Sequence, residues 1–260
     1  MAKYLIIPDQ NAVEESLSLA KDYNCGFEFN DFFSPVILDA KEQKEELISF
    51  YQSLKLPEIR TLHGDFFDVT IFSSDEKIAA ISEERIYQSL EVAKQLKCRG
   101  VVFHGNINPF LTAKIYRDNW LSKNAAFFRK VCGEFPEMNL YMENMFDRCP
   151  DDLCKLAEAL KDVPNFGICF DYAHAFISGL EMIKWCESLG PYIKHVHIND
   201  NDGVQDLHLA VGDGIIDWEE FIHFQKLYFP DATVLIENTG TEKQRRSIQY
   251  MRKKQFPGMG

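Results

Sequence analysis

Short apolar runs alternate with longer amphipathic stretches about eight times along this chain, and that alternation constrains its fold more than any other feature. Strand-like runs fall at residues 3–7, 25–29, 59–63, 100–104, 139–143, 166–171, 193–198 and 233–237. Helical spacing of apolar residues fills the intervals. A capping-box start at Asn11 and Glu14 precedes a stripe of Val13, Leu17 and Ala20. Further helices are expected over 39–55, 76–96, 113–132 and 178–189, after Pro150, from Asp217, and from Thr239 with Glu242. Strands that alternate with helices at this spacing form a parallel sheet with crossover helices. Eight such units in 260 residues fit a closed α/β barrel, the (β/α)8 TIM barrel, as a single domain over 1–260. The two long stretches outside helices, 30–36 and 200–216, both follow strands, so they belong to the face where barrels keep their sites.

The last residues of the predicted strands are unusual. Strands two to eight close on Glu28, His63, His104, Glu143, Asp171, His197 and Glu237. In a barrel these side chains converge at one end of the axis. Carboxylates brought that close repel one another, and a divalent cation relieves the repulsion by taking them as oxygen ligands with histidines as nitrogen ligands. His174 follows Asp171 by three residues in DYAHAF. Glu143 and Glu237 each follow an apolar strand and precede an asparagine, Asn144 and Asn238. A glutamate there is costly unless it binds something.

The stretch 193–217 concentrates this chemistry. It holds His195, His197 and His208 with Asp200, Asp202, Asp206, Asp213 and Asp217. On a strand, His195, His197 and Asn199 share one face. His195 belongs one layer below His197, in the packed core. For Asp206 and His208 the residues alone do not choose between a solvated acidic loop and a pair of ligands.

The charge balance weighs against some functions without excluding DNA. A formal net charge of -12 disfavours nucleic acid and anionic membrane as partners. No apolar run approaches the roughly 20 residues that span a bilayer. The seven cysteines are scattered and form no CxxC pair, as expected of reduced thiols in a cytoplasmic protein. Nothing in the sequence reports oligomeric state.

The segments TLHG, VVFHGN, LYMENMF, CFDYAHAF, HVHINDNDGVQDLHLAVGDGIIDWEEF and VLIEN lie in order along strands three to eight. Together they make the chain resemble the xylose isomerase-like TIM barrel superfamily (AP endonuclease family 2). That superfamily includes sugar and sugar-phosphate isomerases and epimerases and the endonuclease IV type of DNA-repair enzyme. The resemblance to the isomerases implies one divalent metal (Mn, Mg, Co or Zn) on Glu143, Asp171, His197 and Glu237. It implies a small sugar or sugar phosphate as substrate and proton transfer through a metal-stabilised enediolate. Glu143 and Glu237 would be the catalytic acid and base. Glu28, His63, His104 and His174 would line the substrate pocket.

The endonuclease branch implies three zinc ions and hydrolysis of abasic DNA, with His104, His174, Asp206 and His208 as additional metal ligands. One histidine of its pattern, in the loop after strand three, has no counterpart in residues 64–74, which leaves His63 as a stand-in and the trinuclear set short. A third outcome is a non-catalytic or dehydratase-like member that binds a polyol.

Overall fold

A computed structural model describes residues 3–259. Eight parallel strands close into a barrel in sequence order, β1 (Tyr4–Ile6), β2 (Gly26–Phe29), β3 (Arg60–His63), β4 (Gly100–His104), β5 (Asn139–Glu143), β6 (Phe166–Asp171), β7 (Ile193–Ile198) and β8 (Thr233–Ile236). Pairing of β1 with β8 at Tyr4 and Val234 closes the ring. The expected (β/α)8 architecture is therefore the observed one. Met1, Ala2 and Gly260, the ends of the single-domain span, lie outside the described residues.

Among the described residues ten α-helices cover the outside: α1 (Val13–Tyr23), α2 (Pro35–Asp39), α3 (Lys41–Ser53), α4 (Glu76–Gln95), α5 (Lys114–Glu134), α6 (Asp151–Ala159), α7 (Tyr172–Ile177), α8 (Met182–Leu189), α9 (Trp218–Tyr228) and α10 (Thr241–Lys253). Their apolar faces meet the outward faces of the strands in one continuous core, which includes Leu47 and Tyr51 of α3 and Leu153 and Leu156 of α6. No helix of the described residues is long and apolar enough to cross a membrane.

Local starts and stops differ from expectation at four places. Asn11 is not the cap of the first helix. Asp9 accepts from the Asn11 N–H and begins a short 3-10 turn, Gln10–Ala12, which leads into α1. Pro35 and the Ser34 side chain start a separate short helix within the stretch read as loop, so α2 precedes α3. The helix expected over 178–189 starts later, at Met182, and a separate short helix, α7, precedes it. The Asp171 carboxylate caps α7 directly at the end of β6, and Gly179, at φ 74°, breaks the chain before α8. Finally, α10 begins at Thr241 behind Gly240 and has no side-chain cap. By contrast, Asp217 caps α9 as expected, accepting from the N–H groups of Glu219 and Glu220.

Candidate metal centre

The register of the barrel brings the strand-end residues to one level. His104 pairs with Glu143 across β4 and β5, and Asp171 pairs with His197 across β6 and β7. Glu143 stands at the centre. Its Oε2 lies 3.3 Å from His104 Nε2, 3.4 Å from His197 Nδ1 and 3.7 Å from His63 Nε2. Its Oε1 lies 3.5 Å from His174 Nδ1. Glu237 Oε1 is 3.6 Å from the same His197 Nδ1.

Three groups of nitrogen and oxygen donors result. Glu143, Asp171 and His197 place ligand atoms within 4.8 Å of one another, and so do His63, His104 and Glu143. In the third, the Asp206 Oδ2 sits between His174 Nε2 at 3.3 Å and His208 Nε2 at 3.0 Å. Atoms that ligate one zinc ion at about 2 Å stand roughly 3 to 4 Å apart. His63 therefore occupies the place that sequence reading left short. It lies 3.2 Å from His104, Nε2 to Nε2.

Backbone carbonyls hold three of these rings by their outer nitrogens. Nδ1 of His63 bonds the Gly64 carbonyl at 3.0 Å, that of His174 the Asn144 carbonyl at 2.9 Å, and that of His208 the Glu237 carbonyl at 3.1 Å. A ring that donates from Nδ1 presents the Nε2 lone pair inward, as a metal ligand must.

Electrostatics fit a cation here. Glu143 Oε2, Asp171 Oδ2, His197 Nδ1 and Asp206 Oδ1 are buried with no hydrogen-bond partner among the described residues. Each unpaired buried polar atom costs about 1–3 kcal/mol, which ligation removes. Burial, with Glu237 and Glu143 nearby, pushes the Asp171 carboxyl up to about 8. Near neutral pH that proton must leave before Asp171 can ligate an ion. Burial works against ionised Glu143 too, but His197 and His104 outweigh it and hold its carboxyl well below the usual range. Burial lowers the His208 imidazole, yet Glu237 and Asp206 raise it overall to about 10.

His63, His104, Glu143, His174, Asp206, His208 and Glu237 line a cavity of about 180 Å³ whose walls include Phe33, Phe66 and Met145, with Asp171 and His197 buried beneath it. No Lys or Arg among the described residues lines it. A larger cavity of about 720 Å³, between α1 and the 55–59 turn, contains no histidine and lies away from this chemistry.

Glu28 is a correction. It is fully buried and does not line the cavity. Its carboxylate sits one layer down, against His195 and His197. His195 occupies that same buried layer, as expected. Sequence reading did not identify Phe33, Phe66 and Met145 as cavity walls, nor Asn144 and Asn238 as clamps. Asn144 bonds both backbone groups of Asp171. Asn238 donates to the carbonyls of His208 and Leu209. The repeated Glu-Asn pair after an apolar strand was the signal available.

The fold is a TIM barrel with a cluster of histidines and carboxylates, which could hold a metal ion, at the C-terminal ends of its strands. The chain belongs to the xylose isomerase-like TIM barrel family, whose family model matches residues 18–254. It is 27% identical over 201 residues to MJ1311 of Methanocaldococcus jannaschii, covering 74% of this chain and 68% of that protein. It is 25% identical over 180 residues to apurinic-apyrimidinic endonuclease 1 of Saccharomyces cerevisiae, covering 61% of this chain and 48% of that enzyme. Among solved structures, the TTHB071 protein from Thermus thermophilus, soaked with zinc chloride, has a TM-score of 0.76 at 22% identity over 99% of both chains. A D-tagatose 3-epimerase-like protein has a TM-score of 0.74 at 22% identity over 96% of both.

Proposed function

We propose that this protein is a metal-dependent isomerase or epimerase of a small sugar or sugar phosphate. The observation that carries this reading is the placement of Glu143 and Glu237 at 3.4 and 3.6 Å from one ring nitrogen of His197, beside a cavity of about 180 Å³. That volume is below the roughly 300 Å³ at which drug-sized pockets begin, and it suits a compact polyol. Glu143, Asp171, His197 and Glu237 would hold the ion. A divalent ion (Mn, Mg, Co or Zn) supplies Lewis-acid polarisation of two adjacent substrate oxygens and so acidifies the C–H between them.

Glu143 and Glu237 then divide the proton work, one accepting it from carbon and the other returning it. His63, His104 and His174 turn polar edges toward the substrate hydroxyls. Phe33, Phe66 and Met145 keep water from the reacting carbon. The seven free thiols suit a cytoplasmic setting.

A second reading, hydrolysis of abasic DNA by a zinc-dependent phosphodiesterase, is favoured by one observation. His63 closes on His104 and Glu143, while Asp206 bridges His174 and His208, so all three donor groups exist. The small cavity without a basic lining favours the sugar.

Deuterium exchange tests the choice. With Mn bound, at least one ketose of a broad panel is expected to gain solvent deuterium at the carbon next to its carbonyl. No exchange across the panel, together with cleavage of an abasic-site oligonucleotide by zinc-loaded protein, would replace the first reading with the second.

A further inference from the structure

Of the five histidines of the centre, three have their outer ring nitrogen bonded to a backbone carbonyl. The remaining outer partners are different in kind. His104 Nδ1 lies against the Met145 sulfur. His197 is reversed: Nδ1 faces Glu143 and Glu237, and Nε2, on the Glu28 side, has no hydrogen-bond partner among the described residues.

At 3.1 Å from that Nε2 stands Glu28 Oε1, a charge contact between two buried atoms that have no hydrogen-bond partner among the described residues. The other oxygen of Glu28 is fully engaged. Its Oε2 accepts from Thr61 Oγ1 at 2.6 Å and pairs with His195 Nε2 at 3.0 Å. His195 is fixed in turn by Thr233 Oγ1 at 2.6 Å from its Nδ1, and by the ring of Tyr141 stacked at 5.3 Å. Both hydroxyl contacts join neighbours across the sheet, Glu28 with Thr61 and His195 with Thr233. Glu28 is thus held rigidly, sealed from the cavity, with one oxygen aimed at His197.

We propose that Glu28 is a positioning residue of the metal centre, whose carboxylate fixes the His197 imidazole in the tautomer that turns Nδ1 toward Glu143, Asp171 and Glu237. This rests on the metal-dependent reading above. A backbone carbonyl orients a ring, but a carboxylate also adds a full negative charge, which makes the ligating nitrogen more basic. Among the histidines of this centre, His197 is the one that Glu28 faces, and its Nδ1 lies within 3.6 Å of both candidate catalytic glutamates. Glu28 touches no substrate, so its effect passes entirely through His197.

The test uses the full chain and zinc. Nitrogen-15 NMR of zinc-loaded wild type is expected to show His197 protonated at Nε2, against protonation at Nδ1 for His63, His174 and His208. A His197 protonated at Nδ1 overturns the proposal without any variant. Glu28→Gln keeps the size of the side chain but turns an amide toward His195 or His197. It is expected to weaken zinc roughly 10- to 100-fold in competition with a chromophoric chelator. Glu28→Asp retains the charge and is expected to recover part of that loss. Equal zinc affinity in wild type and Glu28→Gln would overturn the proposal alone. A wild type that takes up no zinc, manganese or cobalt would overturn the metal reading beneath it.

Discussion

Glu143→Gln is expected to lower turnover by on the order of 10³-fold, and to weaken metal binding in the same variant. The carboxylate serves two ends at once. Its Oε2 faces His63, His104 and His197 within 3.7 Å, so it belongs to two donor groups. As a proton-transferring group its loss alone costs about 10² to 10⁴ in rate. Glutamine keeps the shape but cannot carry the proton, and its amide N–H₂ brings a donor where cation ligands are needed. Steady-state kinetics on the best substrate, with metal content measured on the same sample, checks both effects. Metal-dependent turnover left unchanged would remove Glu143 from the roles assigned to it.

The second large effect falls on stability. Asp200 is fully buried and organises the loop that carries Asp206 and His208. Its carboxylate accepts from the N–H groups of Asn201 at 3.0 Å, Gly212 at 2.9 Å and Ile216 at 3.1 Å, and from Trp218 Nε1 at 2.8 Å. Its backbone pairs with Leu209 in an isolated antiparallel bridge. Gly214 passes so close that a Cβ there would lie 2.3 Å from the Asp200 carboxylate, so only glycine fits. Asp200→Ala strands several donors, each worth about 1–3 kcal/mol when buried and unpaired. Allowing for relaxation of the loop, the expected loss is about 4 kcal/mol, or roughly 8 to 16 °C in Tm. Thermal unfolding of the metal-free protein measures it. A shift under about 2 °C would mean that the loop is held by other contacts.

These two residues show what the sequence made legible. Glu143 was readable because a strand's apolar period ends abruptly on a charge, and the same break recurs at Asp171, His197 and Glu237. The barrel was legible because short apolar strands, buried on both faces, alternate with amphipathic helices about eight times. Asp200 carried no such signal. It stands among five aspartates in one loop, and only the folded path of residues 200–218 shows that its carboxylate faces inward while Asp202 caps a surface turn.

Glu28 was misplaced for a related reason. Strand ends stagger around a barrel, so residues that look equivalent in sequence occupy different layers. Glu28 pairs with Thr61, whereas the ring-level residue of β3 is His63, two positions further on. His63, the last residue of β3, reaches His104 and Glu143 from the strand itself rather than from the loop that follows. The cavity walls were not readable from periodicity, since Phe33, Phe66 and Met145 sit on loops.

The most direct test of the central claim is an anomalous-scattering map from crystals grown with manganese or zinc. An ion is expected within about 2.0–2.3 Å of ligand atoms on Glu143, Asp171, His197 and Glu237. Additional peaks at His63 with His104, and at His174 with Asp206 and His208, would favour the three-ion reading. Ions bound at full occupancy elsewhere, with none among these residues, would contradict the assignment of a metal centre to this barrel.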